Sequence, residues 1–183
     1  NSIVGTVSGT SISFGTPSLF HSGLSFIISI AFDDSNPSKF VIAYSDQANS
    51  SYGTAVIGTI SGTSLSYGTA VVFNSGATNQ DIQADYIASN KFAVAYQDGG
   101  NSNYGTAIVG TVSGTSISFG SEYVFSAVNI TTRISLKKDP NATDIFVVAY
   151  ADNVSNVAKA VVGTVSGNSI SYGSATTYES SFV

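Results

Sequence analysis

FAVAYQDGGNSNYGTAIVGTVSGTSISFG, residues Phe92 to Gly120, decides the fold, because near-copies of it supply most of the remaining chain. Phe40 to Gly68 reads FVIAYSDQANSSYGTAVIGTISGTSLSYG, and Phe146 to Gly173 reads FVVAYADNVSNVAKAVVGTVSGNSISYG. Ile3 to Gly15 carries only the second half of the unit. The motif Gly-Thr-(Val/Ile)-Ser-Gly begins at Gly5, Gly58, Gly110 and Gly163, at spacings of 53, 52 and 53 residues. A fixed period of about 52 residues marks an array of supersecondary units that bury their apolar faces against one another.

Within one unit, Phe92-Ala93-Val94-Ala95-Tyr96 is a short apolar run without helical period, closed by Asp98, Gly99 and Gly100, and predicts a strand buried on both faces. Ala107 to Val112 reads the same way. Ser113-Gly114-Thr115 turns the chain, since glycine accepts the positive φ of a tight hairpin. Ser116-Ile117-Ser118-Phe119 then alternates polar and apolar, as a strand with one wet face does. A further alternating strand precedes each buried run, over Phe26 to Asp33, Ile82 to Ala88 and Arg133 to Lys137. Polar turns at 34–39, 89–91 and 139–144 connect the two, and residues 73–80 and 125–131 read as links between units.

The expected fold is therefore all-β, a series of four-stranded antiparallel sheets in a β-propeller-like order, about 3.5 blades long and expected to be part of a longer array. It is one repeat domain, with a half blade at 1–21, blades at 22–74 and 75–126, and a blade plus the start of the next at 127–183. The mid-repeat start at Asn1, without a Met, reads as a processed product or an excised piece, and the final Ser181-Phe182-Val183 falls where another inner strand would begin. Open edges of this kind favour pairing with further copies or additional repeats.

Only 9% of the residues are charged, and the net charge is -5. With Arg133 as the only arginine, the chain lacks the clustered cations that nucleic acid requires. No apolar run approaches the roughly 18 residues of a spanning helix, so membrane insertion is not expected. Cysteine is absent, which removes disulfides and thiolate chemistry. Asn-x-Ser/Thr sequons stand at Asn49, Asn129, Asn141 and Asn153, as acceptors of N-glycans in a secretory context.

Phe-Val-(Ile/Val)-Ala-Tyr-x-Asp after a polar turn, a Gly/Asn-rich loop, an apolar strand, a turn with Gly and then Phe-Gly-Ser resemble the propeller-type tandem repeats of large secreted bacterial adhesins and phage tail-fibre proteins. The match runs through Phe40 to Asp46, Phe92 to Asp98 and Phe146 to Asp152. Those relatives often carry Trp where Tyr44, Tyr96 and Tyr150 stand, and this chain has no Trp. The resemblance implies an extracellular or particle-surface module for adhesion or scaffolding, and it transfers no catalytic residue.

Among chemistry-bearing residues, His21 is the only histidine and has no Ser-His-Asp context. Asp33 with Asp34, and Asp81 with Asp85, are the carboxylate neighbours that a glycosidase would need to bring face to face. A single arginine does not suit a sialidase-like site, so no enzyme is expected, and a glycan-active domain stays the lesser alternative. The loop after the buried strand repeats Asp46, Asn49, Tyr52; Asp98, Asn101, Tyr104; and Asp152, Asn156. These residues form the candidate ligand face, offering aromatic rings beside amides and carboxylates to a surface glycan or a protein. No cofactor is expected; Ca²⁺ is the one ion such oxygen-rich loops suit, although no EF-hand pattern is present. A structural segment of a surface filament or coat is the alternative to adhesion.

Overall fold

The computed structural model describes residues 1–78, 80–130 and 133–180. The chain forms seventeen strands in these residues and no α-helix; a single 3₁₀ turn spans Gln47–Asn49. A two-stranded hairpin comes first, β1 (Gly5–Ser8) with β2 (Ser11–Phe14). Three five-stranded antiparallel sheets follow. The first contains β3 (Ser25–Asp33), β4 (Asn36–Asp46), β5 (Tyr52–Ser61), β6 (Ser64–Tyr67) and β7 (Val71–Ala77). The second contains β8 (Ile82–Ala88), β9 (Lys91–Asp98), β10 (Tyr104–Ser113), β11 (Ser116–Phe119) and β12 (Tyr123–Asn129). The third contains β13 (Ser135–Lys138), β14 (Ile145–Asp152), β15 (Val157–Ser166), β16 (Ser169–Tyr172) and β17 (Thr176–Glu179).

Each sheet is the expected meander with one addition. The residues read as links between units continue the outer strand instead: β7 pairs with the first half of β5 where β6 pairs with the second, and β12 and β17 repeat the arrangement on β10 and β15. Short runs such as Val71-Val72-Phe73 lie opposite an already formed strand, and pairing satisfies backbone groups that a linker would have to hand to water. The turn expected at 34–39 is also shorter, because β4 already begins at Asn36. The third sheet's first strand starts at Ser135 and not at Arg133. The part of the expected link at Thr131 and the closing Ser181-Phe182-Val183 lie outside the described residues.

A repeated aromatic device fixes the register. Phe40, Phe92 and Phe146 stand directly opposite Gly58, Gly110 and Gly163, and each glycine faces Tyr67, Phe119 or Tyr172 on its other side. The bare glycine lets the two rings meet edge to face, at 6.2, 5.8 and 6.4 Å between centroids. The turns at Gly9, Gly62, Gly114 and Gly167 carry φ near +60°, which suits glycine at the first turn position.

The sheets stack face to face in an open, propeller-like series, with the first strands β3, β8 and β13 lying against one another. Alternate residues of the middle strands serve two different interfaces. Val41, Ala43 and Ile57 meet Phe92, Val94 and Tyr96 between the first and second sheets. Ala93, Ala95 and Val109 meet Phe146, Val148 and Tyr150 between the second and third. That is why both middle strands read as continuous apolar runs.

Candidate binding surfaces

The loops that follow β4, β9 and β14 recur at one end of the stack, and their aspartates organise them from within. Asp46 Oδ1 accepts from the backbone N–H groups of Ala48 and Asn49 at 3.0 and 3.2 Å. Asp98 Oδ1 accepts from Gly100 N and from the Asn74 amide, both at 3.0 Å. Asp152 takes the N–H groups of Val154 and Ser155, the Ser155 hydroxyl, and the Lys159 ammonium at 2.6 Å. Burial opposes the charge of Asp152, but these hydrogen bonds outweigh it and hold the carboxyl well below the usual carboxylate range. All three aspartates are buried, whereas Asn49, Asn101 and Asn156 are exposed and Tyr52 and Tyr104 half-buried. The outward chemistry of this face is therefore amide and phenol. Beside it lies a shallow polar depression of about 450 Å³ bounded by Asn74, Gly76, Asp98, Asn101 and Glu122. In the third sheet the turn at the opposite end, 139–144, is longer than the loop at 153–156.

His21 belongs to the same framework. It follows Phe20 as Asn74 follows Phe73, and both residues reach the aspartate of the next sheet's loop. Its Nε2 lies 3.1 Å from Asp46 Oδ1 without hydrogen-bond alignment, and its Nδ1 is 3.5 Å from the Tyr44 hydroxyl. Burial, with the Asp46 charge nearby, pushes the Tyr44 phenol up to about 12. The acidic neighbours are likewise committed: Asp81 accepts from Ile134 N at 2.7 Å and Asp85 from Lys138 N at 3.0 Å, so both tie β8 to the third sheet. Asp34 pairs with Lys138. Among the described residues no group of three His, Cys, Asp or Glu side chains is placed to hold a metal ion. No helix there is long and apolar enough to cross a membrane. The asparagines of all four sequons are exposed.

The two end faces of the stack differ from its interior. Ile30, Ala84 and Leu136 occupy one repeat position, opposite Ile42, Val94 and Val148, and Phe32 and Tyr86 occupy another, opposite Phe40 and Phe92. Ala84, Tyr86 and Leu136 are buried, but Ile30 and Phe32 are 51% and 49% exposed. At the far end Val147 and Val162 are exposed where their counterparts Val41, Ala93, Ile57 and Val109 are fully buried. The β1–β2 hairpin covers only the outer part of the first face. An apolar groove of about 260 Å³ remains between Ile3, Gly5, Ile30, Phe32 and Leu65. Gly5 has Ile12 and Phe14 near it, with no ring seated as Phe40 is on Gly58.

At the end opposite the loops, the turns after β3, β8 and β13 enclose a cavity of about 470 Å³ bordered by Asp33, Ser35, Tyr86, Lys138 and Pro140. Sequence reading passed over Tyr86 here. A signal existed: the residue opposite the repeated Phe varies as Phe32, Tyr86 and Lys138, from an apolar ring to a phenol to an ammonium. No family model, curated protein or solved structure matches the chain.

Proposed function

We propose that the chain is a non-catalytic repeat module of an extracellular or particle-surface protein. Its end faces continue into further sheets of the same repeat, and its loop end is the adhesive face for a glycan or protein. The observation that carries this reading is the exposure of Ile30 and Phe32, whose counterparts Ala84, Leu136 and Tyr86 are buried against the preceding sheet. Half-exposed apolar residues at such positions are stabilised when covered, at about 25 cal/mol for each Å² removed from water. At Gly5 the flexible end of Ile12 lies where Gly58 holds the Phe40 ring, which is consistent with a Phe-bearing strand of this same repeat as the covering element. A stack of this kind repeats weak loop contacts along its length, so millimolar contacts add through multivalency.

Sedimentation and binding of a hydrophobic dye test the assembly. Chain 1–183 is expected to self-associate or bind dye, and Ile30→Ser with Phe32→Ser to abolish both without loss of fold; a strict monomer that binds no dye overturns it. A glycan array with Tyr52→Ala and Tyr104→Ala tests the adhesive face. Retained capture of a glycan by both variants excludes that face.

A further inference from the structure

The cavity at the turn end is built from three successive sheets that are all present, so it does not depend on how the stack continues. Two side chains lining it are 2% exposed and each buries a polar atom without a hydrogen-bond partner, Asp33 Oδ2 and the Tyr86 hydroxyl. The polar groups beside these two are paired. Asp33 Oδ1 accepts from Ser35 N at 2.9 Å and from the Ser35 hydroxyl at 2.5 Å. Ser35 Oγ in turn lies 3.1 Å from Ser89 Oγ, and Lys138 is held by Asp34. Ile87 and Pro140 supply apolar wall. Leaving a buried donor or acceptor unpaired costs about 1–3 kcal/mol, so two such groups on one cavity require an explanation.

We propose that this cavity binds a small polyhydroxylated ligand, a sugar or polyol end, through a hydroxyl that donates to Asp33 Oδ2 and accepts from the Tyr86 O–H. The donor inventory selects this class. A carboxylate oxygen only accepts and the phenol needs an acceptor for its proton; a ligand hydroxyl supplies both in one atom. An ammonium offers the phenol no acceptor. An anion meets the Asp33 charge in a site whose one nearby cation, Lys138, is already paired. The volume lies within the range of small-molecule pockets, about 300–1,000 Å³, and the mix of apolar wall with few polar groups is theirs as well. The inference goes beyond the adhesive loop face, which lies at the other end of the sheets.

The test is a calorimetric or NMR titration of the intact chain with methyl hexopyranosides and inositol at millimolar concentrations. At least one is expected to bind saturably. Tyr86→Phe is expected to lower that affinity about tenfold, as the loss of one hydrogen bond does. It should not lower the thermal stability of the free chain and should raise it if anything, since the hydroxyl has no protein partner to lose and its unpaired burial is relieved. Asp33→Asn, which keeps an acceptor for the Ser35 turn, is expected to weaken binding as well. Binding of no member of the panel, meaning that water alone fills the cavity, overturns the proposal. So does binding that survives Tyr86→Phe, and binding that is lost in Tyr52→Ala while kept in Tyr86→Phe places the sugar on the loop face instead.

Discussion

Substituting alanine for glycine at one repeat position should give opposite results in two copies of the repeat. At Gly110 an added Cβ would stand 2.3, 2.6 and 2.9 Å from three atoms of the Phe92 ring. Carbon atoms prefer about 3.5–4.0 Å. Phe92 is fully buried and held edge to face by Phe119, so the ring has nowhere to withdraw. Overpacking of this kind costs about 1–3 kcal/mol, against which alanine gains about 0.4–1 kcal/mol by narrowing the unfolded ensemble. Gly110→Ala should therefore lose about 1–2 kcal/mol. At Gly5 the new Cβ would meet only Ile12 Cδ1 at 3.0 Å and Phe14 Cε1 at 3.4 Å, the ends of exposed side chains that turn aside. Gly5→Ala should be neutral or slightly stabilising. Urea unfolding followed by circular dichroism measures both, with the slope checked for constancy. Adding Phe92→Leu to Gly110→Ala should recover part of the loss through a favourable coupling of about 1 kcal/mol. Equal stability of Gly110→Ala and Gly5→Ala, or strict additivity with Phe92→Leu, would refute the seating argument.

Gly120 and Gly173 offer a second matched pair. A Cβ on Gly120 would lie 2.5 Å from the Asn168 carbonyl oxygen of the next sheet's turn, while Gly173 has only Val162 O at 3.9 Å; Gly120→Ala should lower the unfolding midpoint and Gly173→Ala should leave it in place. The depressed carboxyl of Asp152 contributes stability that is complete above the ordinary carboxylate value of about 3.9 and is lost as pH falls through its lower folded value. Lys159→Ala should thus destabilise at neutral pH, and its midpoint should converge on the parent's in acid titrations. Tyr44, raised to about 12 by burial and by Asp46, behaves in the opposite sense, with its stabilisation present below the unfolded value of about 10 and lost as pH rises through 12. Phenolate absorbance should therefore show a late phase that coincides with alkaline unfolding, and Tyr44→Phe should remove part of it.

The strands and their stacking were legible because burial on both faces writes itself as an uninterrupted apolar run, and the copies at Phe40, Phe92 and Phe146 place one run against the next. The outer strand was only half legible. Val71 to Ala77 contains Asn74, Ser75 and Gly76, a polar composition that reads as a link until β5 is there to pair with it. The loop aspartates were found as a repeated feature, but which way a carboxylate faces depends on backbone N–H groups that sequence does not orient. Asp33 and Tyr86 lie 53 residues apart in the chain and meet only because two sheets stack in register. One visible trace of the ends did survive in the sequence. Where Gly53 and Gly105 seat the rings of Phe73 and Phe125, the third unit has Ala158, and Tyr178 at the corresponding place is exposed.

The glycine seats specify alignment without specifying a neighbour. Phe92 finds its seat at Gly110, 18 residues away, yet Gly58, 34 residues away, offers an identical one. Closing the longer loop costs only about 0.6 kcal/mol more for each doubling of length. During folding, then, the chain carries several interchangeable locks and keys, and the choice among them rests on the tether and on the stacking that follows. At high concentration the same seat on another molecule competes with both, so a repeat that polices its register this strictly leaves open the exchange of whole hairpins between chains.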